Sequence, residues 1–147
     1  MEDMLTKKTI PAGNVSLEAA RALIDSALTA TQEAGFPAAI AVTDATGSLR
    51  AFARDDAAPF LTAEVAISKA WTAASYGYPT HVWNEYVRDP AVAPLGNHPR
   101  LMAVGGGFPI MDLGRLVGGI GISGGNAVQD EHACMVALEK LGFTASS

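Results

Sequence analysis

The chain has 147 residues, 49% of them hydrophobic and 17% charged, with a formal net charge of -5. This is enough apolar chain for one core without covalent staples, and the acidic balance argues against nucleic acid or an anionic membrane surface as a partner. The lone Cys134 excludes an internal disulfide and any multi-cysteine metal centre. No segment approaches the ~18 consecutive apolar residues of a membrane span, and the first 14 residues lack the apolar run of a signal peptide, so a cytoplasmic location is expected. The expected organisation is a polar lead over residues 1–15 and one domain over residues 16–142.

Residues 4–9 can add a short edge strand before Pro11 and Gly13 break the chain. Ser16 is placed to cap a first helix, with Glu18 favouring its dipole in the first turn. Leu17, Ala20, Leu23, Ile24, Ala27, Leu28 and Thr31 recur at three- and four-residue spacing and make one apolar face, and Gly35 ends the helix. Residues 37–43 are nearly all apolar, as in a strand buried on both faces. After a turn containing Gly47, residues 49–54 alternate, which completes a hairpin.

Thr62 is expected to cap a second helix running to about Tyr76, with Ile67, Ala70, Trp71 and Ala74 as its apolar stripe. Gly77 and Pro79 end it, Thr80 caps a shorter helix over residues 81–88, and Asp89-Pro90 opens a brief further turn. Residues 93–100 are irregular. A short strand over residues 110–112, a turn at Leu113-Gly114 and a strand over residues 115–122 make a second hairpin. The last helix spans about residues 127–141, with Asn126 and Gln129 at capping-box spacing and Val128, Met135, Leu138 and Leu141 expected to face inward. Two hairpins separated by helices suit a central antiparallel sheet with helices packed on it.

Residues 102–129 hold nine of the chain's 15 glycines. Such density marks tight turns or a close backbone approach. Where the strand breaks at Ser123, Gly124 and Gly125 and a helix begins, free N–H groups converge in a way that suits an anionic or polar ligand group. Arg100, just before this run, can pair with a ligand carboxylate at that corner if its loop folds over it. His81 and Glu85 lie one turn apart and can act as acid and base or stand as a solvated pair, and His98 sits in the proline-rich loop. None of the three histidines forms a local metal pair. Lys69 can hold a buried ammonium near a carboxylate, although such a lysine more often lays its stem on apolar surface and reaches water. Asp130 and Glu131 suit the first turn of the last helix, where dipole compensation is their ordinary role, and one of them can instead be a general base or a subunit contact. Cys134 has no local base and reads as a packing residue.

Several blocks in order carry a resemblance: residues 16–20 (SLEAA), 41–47 (AVTDATG), 68–73 (SKAWTA), 106–110 (GGFPI) and 117–125 (VGGIGISGG), with Asp130 soon after. Together they resemble the GlcG/HbpS-like family of haem-binding or haem-degrading domains, to which the domain closing PduO-type corrinoid adenosyltransferases is related. The resemblance implies an α/β (α+β) fold of profilin-like type, a central antiparallel sheet flanked by helices, and a homo-oligomer. It makes haem or another tetrapyrrole the leading ligand, with His81 or His98 as candidate iron ligand. Two alternatives stand beside it. One is a small-molecule enzyme using His98, Glu85 and His81 on an organic acid or aromatic compound, with Arg100, Lys69, Asp130 and the Ser123–Gly125 corner binding it. The other is a ligand-sensing oligomer without turnover.

Overall fold

Four strands, β1 (Ala39–Asp44), β2 (Leu49–Arg54), β3 (Gly107–Asp112) and β4 (Arg115–Ser123), form one antiparallel sheet in the order β2-β1-β4-β3. Helices α1 (Leu17–Ala34), α2 (Leu61–Tyr76), α3 (Thr80–Tyr86) and α4 (Ala127–Lys140) flank it, with a 3-10 turn at Ala93–Asn97. The computed structural model describes residues 5–144. The expected profilin-like α+β architecture is the one observed.

Strand alternation divides the core in two. Ile40, Val42, Phe108, Ile110, Ile120 and Ile122 face α1 and α4 and pack on Leu23, Ile24, Ala27, Ala133 and Leu138. The opposite face is nearly bare: Ala39 and Ala41 meet Ala66 and Ala70 of α2. Gly119 and Gly121 of β4 also lie under α2, where an added Cβ would strike the backbone carbonyls of Ala70 and Ala66. Helix and sheet therefore touch main chain to main chain, which only glycine permits here.

Local chemistry explains most element ends. The Ser16 side chain accepts from Ala19 N, and Asn126 and Gln129 form the expected capping box. Asp44 Oδ1 accepts from the N–H groups of Thr46 and Ser48 and shapes the β1–β2 turn. Two caps are corrected. Thr62 donates its hydroxyl to Pro59 O and does not cap α2, whose N-cap is Phe60. Thr80 is the first residue of α3, and its hydroxyl accepts from Gly107 N on β3.

Other expectations shift as well. Phe108 and Pro109 belong to β3 and do not precede it; β3 is an edge strand, where proline's missing donor leaves no ladder bond unmade. Residues 5–9 form no strand, and Met4 lies outside the described residues. Leu17, Val128 and Met135 are exposed. In α4 the buried set is Asp130, Ala133, Cys134, Ala137 and Leu138, a rotation of the helix that turns Asp130 inward at the expense of Val128.

Candidate ligand-binding site

A buried ion pair lies between α2 and α4. Lys69 Nζ donates to Asp130 Oδ2 at 3.1 Å and to Ile122 O at 2.8 Å, and the two side chains are 2% and 3% exposed. Asp130 Oδ1 accepts from Gly125 N at 3.0 Å. Burial pushes the Asp130 carboxyl above its ordinary value, opposed by the Lys69 ammonium and the N–H groups of Gly125 and Gly124. Gly106, at φ 122°, passes over the pair; a Cβ there would lie 2.6 Å from Lys69 Nζ. Its carbonyl accepts from Ile122 N and from Cys134 Sγ. Lys69 thus belongs to the buried face of α2 and does not lie beside it with its charge in water. The N–H of Gly125 that was expected to greet a ligand is occupied by Asp130.

The same glycine turn faces a second cluster. His81 Nδ1 lies 3.6 Å from Glu131 Oε1, with side chains 42% and 25% exposed, and its ring meets Phe108 edge-on. Glu131 rests against Gly105, where any Cβ would collide with the carboxylate. The histidine's acidic neighbour is therefore Glu131, across the fold, whereas Glu85 lies 3.8 Å from Arg88 in an exposed pair. The Nδ1 atom itself is buried and lacks a hydrogen-bond partner. Its lean toward a carboxylate suits a proton on Nδ1 and a lone pair on Nε2, the tautomer a metal-bound histidine uses.

The third cluster sits on the outer face of α2. His98 stacks on Trp71 with ring centres 5.4 Å apart and planes 15° apart, and the Arg100 guanidinium lies 4.5 Å from the Trp71 ring centre. Thr72 anchors this loop by accepting from Met102 N and donating to Arg100 O. Here His98 Nδ1 accepts from Arg100 N at 3.1 Å, so the ring proton sits on Nε2. A cavity of about 140 Å³ opens beside it, lined in part by Trp71, Tyr76, Trp83 and Leu95.

His98 and Arg100 thus come together, as do Lys69, Asp130 and the Ser123–Gly125 corner, but the two groups do not meet. Ser123 pairs with Ala39 at one end of β1, while Trp71 packs against Gly47, beyond Asp44 at the other end. Five residues of strand separate those ends by roughly 17 Å. Arg100 was expected over the Ser123 corner; its place on Trp71 corrects that. Trp71, Trp83 and Thr80 were not singled out as site residues, and Glu131 only as an alternative base or subunit contact. Only Glu131 had a local clue, its place beside Asp130 in the first turn of α4. Among the described residues no three His, Cys, Asp or Glu side chains gather as a metal set, and no helix is long and apolar enough to cross a membrane.

The chain is similar over most of its length to known proteins. It is 32% identical over 134 residues to the corrinoid adenosyltransferase PduO of Citrobacter freundii, covering 89% of this chain and 40% of that one, so it spans about two fifths of that relative. The solved PduOC:haem complex is 26% identical, with a TM-score of 0.83 over 91% of this chain and 99% of the other. The structure of HbpS is 28% identical, with a TM-score of 0.86 over 92% and 95%. The family model described as haem degrading protein HbpS-like matches residues 15–139, and the chain belongs to the HbpS-like family.

Proposed function

We propose that the protein binds haem or a closely related tetrapyrrole, with His81 as the iron ligand. The observation that carries this reading is the likeness to the PduOC:haem complex over nearly the whole of both chains. Two histidines were candidates, and their tautomers separate them. His98 Nδ1 accepts a backbone N–H, so Nε2 carries the proton and has no lone pair for iron. His81 has Glu131 beside Nδ1, which leaves Nε2 to coordinate. The residues present fit the group in this sense: a half-exposed histidine oriented by a carboxylate. The His81 side chain is 42% exposed, so the haem lies on an open face. When bound, it supplies a redox-active iron; the chain supplies the ligand and its orientation.

In this reading the protein also self-associates. Phe60 is 85% exposed and Leu61 is exposed beside it, next to an apolar groove of about 370 Å³ that Val65, Ile67 and Met102 help line. Exposed apolar clusters of this kind mark contact surfaces.

Hemin titration followed by absorbance tests the ligand. A saturable Soret band is expected for the native protein and for His98→Ala, and a weakened, shifted band for His81→Ala. No saturable band, or loss on His98→Ala alone, overturns the assignment.

A further inference from the structure

We infer that the cavity between α2, α3 and the Ala93–Asn97 turn is a second ligand site, independent of the haem reading, that takes a small planar aromatic carboxylate. Its walls are aromatic on both sides. Trp71 and His98 stack on one, while Tyr76 and Trp83 meet at 5.3 Å and 59° on the other. Leu95, Leu101, Thr72 and Ser75 complete the lining. At about 140 Å³ the space is that of a single ring, close to the ~150 Å³ of a cavity known to admit benzene.

Two polar features define what the ring must carry. Trp83 is 4% exposed, and its Nε1–H is buried without an acceptor, an unfavourable state for a donor. An occupant whose acceptor oxygen displaced the groups covering it would satisfy it. The Arg100 guanidinium lies over the ring of Trp71, which is one of the lining residues, and no carboxylate is among them. Aromatic walls alone would suit a quaternary ammonium equally well. The arginine and the lack of an acid turn the preference to an anion.

The chain's two tryptophans, Trp71 and Trp83, both line this cavity, so intrinsic fluorescence reports on it directly. Haem-free protein is titrated with benzoate, benzyl alcohol, cyclohexanecarboxylate and benzyltrimethylammonium, with calorimetry in parallel. Benzoate is expected to give a saturable emission change and the tightest binding of the four. Arg100→Gln, at an exposed position, is expected to weaken benzoate about tenfold and leave benzyl alcohol unchanged. Trp83→Phe, which keeps a ring and removes the N–H, is expected to weaken both several-fold. His81→Ala is expected to bind benzoate as the native protein does. The proposal is overturned by no saturable signal with benzoate, by tighter binding of the ammonium, or by an Arg100→Gln protein that binds benzoate unchanged. Loss of benzoate binding in a folded His81→Ala protein also overturns it, by moving the ligand to the haem face.

Discussion

Lys69 and Asp130 show how one residue pair can orient a helix. Neither charge reaches water, and each depends on the other and on backbone groups from β4 and the turn before α4. A buried pair often gives little net stability over an apolar replacement, yet breaking it strands a charge. Lys69→Met is therefore expected to cost about 3–5 kcal/mol in urea unfolding, and Asp130→Asn a comparable amount. The double change Lys69→Met with Asp130→Leu should recover most of that loss. Additive losses in the double-mutant cycle would show that the two side chains act separately. The neighbouring Cys134 is fully buried, and burial pushes its thiol well above the usual range, so it contributes packing and a weak bond to Gly106 O. A lone lysine on an alanine-rich helix reads as a surface residue because its partner is 61 positions away. The pairing of His81 with Glu131 was hidden for the same reason, while His98 and Arg100, two residues apart, were visible as a local pair.

Elements whose ends carry their own chemistry were legible: α1 from Ser16 and Gly35, α4 from the Asn126–Gln129 box, and both hairpins from alternation and turn residues. The buried face of α2 was not. It is made of Ala66, Lys69, Ala70 and Ala73, small or charged residues that leave little hydrophobic period, because the surface they meet is glycine backbone. The β3–β4 hairpin holds one conflict that sequence alone did not expose. Leu113 adopts φ 50° before Gly114 at φ 78°, and the leucine is 93% exposed. Left-handed backbone costs a leucine roughly 1–2 kcal/mol, and two-residue turns of this kind favour Asn-Gly. Leu113→Asn should therefore stabilise the protein by about 0.5–1 kcal/mol, a rise of about 1–4 °C in Tm by calorimetry. An unchanged or lower Tm would show that Leu113 gains an apolar contact in solution that offsets its strain.

At the scale of the whole molecule, the sheet separates two kinds of surface. The α1–α4 side holds the large apolar side chains, and the α2 side carries the aromatic cavity, the His98 cluster and exposed Phe60. If Phe60 and Leu61 join copies of the chain, light scattering after size exclusion should give a mass above that of one 15.2 kDa chain, and Phe60→Asp should lower it. A monomeric native protein would remove this contact from the account. The main-chain contact between α2 and β4 has a separate consequence, for how this fold can diverge. Where layers are spaced by side chains, each substitution changes the gap and calls for compensation across it. Here peptide atoms set the gap, so the outward side of α2 can be rewritten without moving the sheet beneath. A scaffold spaced in this way can hold its shape at the 26–28% identity seen in its solved relatives while what it recognises changes.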